Sequence, residues 1–350
     1  MEPVRSARWG RGFTLVEVAA CAAVAGILAG VALPSWRRER VLAKAMDEQG
    51  LAAEITRAMH QYTQENQDRI MPSAAHWAWC HAPATAYSLL PADAFHAGRR
   101  LEGSVTKVWT LHLLGWWQGL DPTKIQVDVS TRAAFDARPV AGVSMGGGLW
   151  SYGDGERPAA YAWHPSLGMN GVYVGGAYPF GAFRGQAPGG AWGTPAPAPN
   201  PRVSGGNFYL QSWSQAKNPR QLILFASARG GDVAGTAFWN YGAGDPNSGT
   251  RRPGHWIVRP PRTHPMGRGS YQQPYTLGGA WSSSNNFNAA TVPGTWGDLD
   301  MRYEGRAVTA MFDGHVAMQK LEDLRDMRKW VNMAARPNWA FPTNTNQIWW

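Results

Sequence analysis

Cysteine is nearly absent: Cys21 and Cys80 are the only two in 350 residues. Two thiols cannot build a disulfide framework, and one of them sits in an apolar run, so a disulfide-stapled fold is excluded. Charge is also scarce, with Asp, Glu, Lys and Arg making up 16% of the chain. The 33 Lys and Arg outnumber the 24 Asp and Glu, a formal +9, but they are scattered. No basic block is interleaved with base-stacking aromatics, so no nucleic-acid partner is expected. There is no internal repeat, no Walker A loop, no dinucleotide-binding glycine fingerprint and no pair of catalytic carboxylates.

What is abundant is glycine (41), proline (25) and tryptophan (19), in a chain that is 44% hydrophobic. That is enough apolar material for a core and enough turn-forming material for long irregular loops. Residues 181–206 and 242–300 read as such loops. Most tryptophans fall among glycines and prolines, where two uses compete: filling a core poor in regular elements, or a stacking platform for sugars.

The N-terminus carries the strongest pattern. Residues 1–12 are polar and basic through Arg5, Arg8 and Arg11, and an apolar run from Phe13 to Trp36 follows with Glu17 as its only charge. About 24 residues are enough to cross a ~30 Å hydrocarbon core as a helix. Arg37, Arg38 and Arg40 close the run, so arginine flanks both ends and the charge rule does not orient it. A secretory signal peptide cut after Gly30-Val31-Ala32, or a plain signal anchor, would also look like this. Neither explains Glu17, because a carboxylate in a membrane segment costs up to about 2.5–3.5 kcal/mol and calls for a partner.

Arg11-Gly12-Phe13-Thr14-Leu15-Val16-Glu17 resembles the prepilin cleavage and methylation motif of type IV pilins and type II secretion pseudopilins. The resemblance implies a cut between Gly12 and Phe13 by a prepilin peptidase and methylation of Phe13. It also implies an assembly role for Glu17, facing the N-terminal amine of a neighbouring subunit, and a helix kink at Pro34. Loss of residues 1–12 would remove a net +2, leaving +7.

Beyond Arg40 the helix is expected to continue to Asn66, about 80 Å in all and bent near Pro34. Val41, Leu42, Ala45, Leu51, Ile55, Met59 and Tyr62 line one face, with Glu39, Lys44, Asp47, Glu48, Glu54 and Arg57 assigned to the others. A separate amphipathic helix after the anchor is the alternative. Lys107–Trp117 reads as a buried strand or short helix, and Gln221–Ala226 as a buried strand. Ala307–Phe312 and His315–Gln319 flank Asp313-Gly314, the signal for a hairpin with a two-residue type I′ turn. Leu321–Ala334 reads as a helix with Leu321, Leu324 and Val331 as its stripe.

Arg302–Val316 resembles the C-terminal H-X9-DG motif of a large pseudopilin-like group common in planctomycetes. Asp313, Gly314 and His315 match, but Tyr303 stands where the name-giving histidine would be. Pro165–Asn170 (PSLGMN) resembles a short stretch of the same group.

The expected fold is therefore α+β and pilin-like: a long N-terminal helix packed on an antiparallel sheet with large Gly/Pro/Trp-rich loops. The expected divisions are a cytoplasmic leader (1–12), a transmembrane and assembly helix (13–36), its amphipathic continuation (37–66), a head (67–335) and a tail (336–350). The implied role is a pseudopilin or minor pilin rather than an enzyme. The implied setting is the inner membrane, N-terminus cytoplasmic and head periplasmic, or an extracellular filament. The implied partners are prepilin peptidase and other pilin or pseudopilin subunits. The competing role is a membrane-anchored or secreted binding protein, glycan-binding through its Trp-rich loops.

Other chemistry reads weakly. Gly142-Val143-Ser144-Met145-Gly146 fits a nucleophile elbow, but Gly147-Gly148 oppose the helix that must follow it. His76, Cys80 and His81 are metal-ligand types without a second pair. No cofactor is expected; Asp298 and Asp300 are the calcium candidates, although exposed loop carboxylates are the default for them and nothing resembles an EF-hand.

Overall fold

The computed structural model describes residues 14–73, 108–113, 122–136, 161, 164–176, 209–230, 252–262, 281–284, 286–291 and 293–340. By contact density the chain divides into two compact units, Met1–Lys44 and Ala45–Trp350. The boundary falls inside the first element, helix α1 (Leu15–Glu65), which runs through Pro34.

In the first unit every described side chain of α1 up to Arg40 is exposed. In the second, Ala45, Glu48, Ala52, Ile55, Met59 and Tyr62 are buried, joined by Leu51, Thr56, Ala58 and Thr63. Those positions recur every three or four residues, which is one face of an α-helix. Glu48 belongs to this face, not to the solvated ones expected for it, because it stands three residues after Ala45 and four before Ala52. Leu42, expected on the buried face, is 44% exposed. The helix ends where Gln67 and Asp68 both take positive φ (57° and 67°). The Asp68 carboxylate then accepts the Ser214 backbone N–H at 3.0 Å and tethers the exit.

Among the described residues the sheet has four antiparallel strands in the order β1 (Leu167–Met169), β2 (Ile223–Ser227), β5 (Arg306–Met311), β6 (Val316–Lys320). Strands β3 (Arg229–Gly230) and β4 (Arg252–Pro253) pair separately. This supports the α+β class. The expected strand at 221–226 is found as β2, buried at all five positions, as a central strand covered on both faces should be. Register runs Met169↔Phe225 and Ala226↔Thr309, with a bulge between Ile223 and Phe225.

Beyond β1, Met169 bridges Ile257 in parallel: Met169 N–H donates to Trp256 O (3.0 Å) and Val258 N–H to Met169 O (2.9 Å). Gly168 permits that approach, since a Cβ there would stand 2.6 Å from the Ile257 carbonyl carbon. Gln126 ties the same stretch down. Its amide donates to His164 O (2.8 Å) and Pro253 O (2.7 Å), and its oxygen accepts from Ser166 Oγ (2.7 Å) and the Asp128 N–H (3.0 Å).

Lys107–Trp117 is described only over Val108–Leu113, where a four-residue helix α2 (Trp109–His112) forms. Helix α3 spans Val129–Asp136, begun by Asp128, whose carboxylate accepts the Thr131 N–H at 2.9 Å. Tryptophan fills much of the core. Trp109, Trp256, Trp296 and Trp330 are among the largest fully buried side chains, and Trp109 Nε1 donates to Trp256 O at 2.6 Å while its ring tilts against Phe225.

Two local expectations need correction. The 307–319 hairpin forms as β5–β6, but its turn is not type I′, which needs positive φ at both central residues. Only Gly314 has it (93°), and Gly314 N–H donates to Met311 O (3.0 Å) while Met311 N–H donates to His315 O (2.9 Å). That is a three-residue loop with glycine in the left-handed position. The helix expected over 321–334 stops after one turn, as α4 (Leu321–Leu324), and a 3-10 turn follows at Met327–Lys329. Asp326 breaks it: its backbone is extended and its side chain accepts the Arg328 N–H. Leu321, Leu324 and Val331 are nonetheless all buried.

Candidate functional site

The candidate residues fall in two regions, one in each compact unit. In the first, the expected processing residues Gly12 and Phe13 lie outside the described residues. Thr14 and Glu17 are described. Thr14 donates its N–H (2.7 Å) and its hydroxyl (2.9 Å) to Glu17 Oε2, and Thr14 Oγ1 accepts the Glu17 N–H at 3.3 Å. This is a capping box, Thr at the N-cap and Glu three residues on, which satisfies donors at the helix start. In the isolated chain, then, Glu17 already has a partner.

The helix that follows presents Leu15, Val16, Val18, Val24, Ile27, Leu28 and Leu33, each at least half exposed. Cys21 is exposed with a free thiol. At the end of the run the Arg40 guanidinium lies over the Trp36 ring, 4.0 Å from its centre. Among the described residues no helix is long and apolar enough to cross a membrane. The expected span, 13–36, includes Phe13, which lies outside them.

In the second unit, residues 302–316 separate into an inner and an outer part. Tyr303 points inward: its hydroxyl donates to Glu48 Oε2 at 2.5 Å, and Ser227 Oγ donates to Glu48 Oε1 at 2.5 Å. Arg302 Nη1 lies 3.4 Å from Glu48 Oε2, and Arg302 Nε lies 3.1 Å from Asp300 Oδ2. Arg302 Nη2 donates to Ser166 O (3.1 Å) and to Ala228 O. One guanidinium thus touches helix, sheet and turn. Burial pushes the Glu48 carboxyl above its ordinary range, against the pull of Arg302, Ser227 and Tyr303. Burial and the neighbouring Glu48 likewise push the Tyr303 phenol well up, so it is a neutral donor at any ordinary pH.

Asp313, Gly314 and His315 form the outer part at the hairpin tip. His315 Nδ1 lies 2.6 Å from Asp313 Oδ1, and Arg220 reaches Asp313 at 3.8 Å. Partial burial works against the Asp313 carboxylate, but the His315 N–H and ring outweigh it and hold its pKa down. Behind the tip, Phe312 packs on Trp213, which also stacks on His60 of α1 at 5.0 Å.

Asp298 and Asp300 are not exposed loop carboxylates. Both are buried, and each faces an arginine: Asp298 Oδ2 accepts from Arg259 Nε at 2.9 Å, and Asp300 faces Arg302. Among the described residues no three His, Cys, Asp or Glu side chains are grouped to hold a metal ion. Ser144 and the His76, Cys80, His81 group lie outside the described residues. Sequence reasoning missed Glu48, Ser227 and Arg302. The one signal available was a carboxylate recurring in step with the apolar face of α1.

Comparison with protein-family models, curated proteins and solved structures finds no match.

Proposed function

We propose that the chain is a structural subunit, a pseudopilin or minor pilin, of a type IV pilus-like or type II secretion filament. In this reading it is made as a precursor in the inner membrane, with its N-terminus cytoplasmic and its head periplasmic. A prepilin peptidase cuts after Gly12, Phe13 is methylated, and Glu17 guides docking onto a neighbour. The observation that carries the reading is the start of α1. A helix begins two residues after the expected cut, and its first half exposes a run of large aliphatic side chains. Leaving Val, Leu or Ile side chains in water forgoes roughly 1.5–3 kcal/mol each, so this surface calls for lipid or neighbouring helices.

The capping box refines the role of Glu17. A solvated carboxylate can satisfy its own helix start, but in lipid the same group gains more from an ammonium, because paired ions offset each other's desolvation. Intact mass and N-terminal sequencing of the protein from native membranes test the reading. The expected product starts at methylated Phe13. A chain starting at Leu33 would mean an ordinary signal peptide and would overturn it. Glu17→Ala is expected to leave cleavage intact and block incorporation into filaments; a plain membrane anchor shows no such dependence.

A further inference from the structure

Glu48 is the most deeply buried carboxylate of α1, with no solvent exposure, on the face of the helix turned to the sheet. It is also shared. Ser227 reaches it from β2, and Arg302 and Tyr303 reach it from the turn before β5. We propose that this cluster is a proton-operated latch that fastens the second half of α1 to the C-terminal turn. It is independent of the filament reading, because every residue in the cluster lies in the second compact unit.

Two carboxylates, Glu48 and Asp300, share the single guanidinium of Arg302, so the group is one negative charge in excess when both are ionised and neutral when one holds a proton. A buried excess charge is costly, and the proton is the cheapest remedy. Hydrogen bonding does not forbid either state. Ser227 and Tyr303 hydroxyls donate to a carboxylate, and either hydroxyl oxygen can accept from a carboxyl O–H. The cluster therefore stays connected as the proton leaves, while its electrostatic balance worsens.

The charged and titratable groups that bear on Glu48 are Arg302, Tyr303 and Asp300, with Asp128 acting on Arg302 from the start of α3. Burial is the largest influence and raises the Glu48 pKa above 4.5. The sign follows. Between 4.5 and the raised value the folded chain holds a proton that the unfolded chain has lost, so this contribution is full in acid and fades as pH rises through the folded value. The latch is tight in acid and loosens on alkalinisation.

Hydrogen exchange on the full-length protein, followed from about pH 4.5 to about pH 8 and corrected for intrinsic exchange, reads the latch directly. Relative to Glu48→Gln, which cannot titrate at this position and keeps every other titration, wild-type protection over residues 45–62 and 303–311 should fall with pH, by up to about tenfold per pH unit within the window, the limit for one proton. The same pH profile in wild type and Glu48→Gln overturns the proposal. If Glu48→Gln does not fold, Tyr303→Phe serves. It removes a bond that lowers the Glu48 pKa and should move the wild-type slope to higher pH; an unmoved slope overturns the latch equally.

Discussion

Two glycine-to-alanine changes should have opposite signs, and the contrast tests how the short strand β1 is held. At Gly168 an added Cβ would stand 2.6 Å from Ile257 C, 2.8 Å from Val258 N and 2.9 Å from Ile257 O. All three are backbone atoms, so no side chain can rotate away; strand and segment must part. Overpacking of this kind costs about 1–3 kcal/mol. The two hydrogen bonds joining Met169 to Trp256 and Val258 are strained as well, at about 1 kcal/mol each. The expected loss is therefore about 3–5 kcal/mol, or roughly 5–8 °C in Tm for the unit Ala45–Trp350 at about 2.1 cal/mol/K of unfolding entropy per residue. At Gly50, exposed in α1, an added Cβ meets nothing within 4 Å. Alanine there should add up to about 1 kcal/mol through helix propensity. Thermal unfolding of the full chain, followed by near-ultraviolet circular dichroism, compares the two. A Gly168→Ala protein as stable as wild type would show that the 256–258 segment is not held this close, and the account of β1 would fail.

Two further outcomes are expected. Burial holds the His255 imidazole down to about 4, so it is neutral in the fold; stability should drop as pH falls from 6.5 toward 4, by up to about 3 kcal/mol, because the unfolded chain then binds the proton first. Urea midpoints of wild type against His255→Leu check this, the variant lacking that slope. Asp326→Ala should cost about 1 kcal/mol by removing the cap on the Met327–Lys329 turn and the paired contacts to Arg328; urea midpoints that match wild type would refute the assigned role.

How much of this was legible in the sequence depends on the range of the interaction. Strand β2 and the β5–β6 hairpin were readable because runs such as Gln221–Ala226 and the Asp-Gly pair encode them locally. The turn type was missed by one residue, since the type I′ signal and the three-residue loop share the same glycine, but Asp313 lacks the positive φ of type I′ and Met311, not Phe312, pairs with His315. The 321–334 stretch has the apolar spacing of a helix, but Asp326 bonds its own backbone and ends it, a choice periodicity does not register. Strand β1 is three residues long, buried throughout, and recognisable only once β2 and the 256–258 segment lie beside it. The arginine partners of Asp298 and Asp300 were equally invisible. Arg259 lies 39 residues from Asp298 along the chain, and nothing in a loop-like composition announces the pairing.

Helix α1 shows why one averaged property describes it badly. From Leu15 to Leu33 its large aliphatic side chains are exposed, with Glu17 capped by Thr14. From Ala45 to Tyr62 it obeys the rule of a soluble head, apolar on one face and polar on the other. Among the charged residues of this stretch, Glu48 alone departs from that rule. A carboxylate placed there by chance would cost several kcal/mol, and Gln or Leu would fill the site without the penalty. It is tolerated because Tyr303, Ser227 and Arg302 converge on it from segments up to 255 residues away. The Tyr303 phenol, its pKa pushed far up by burial and by Glu48, is a donor that stays protonated at any ordinary pH.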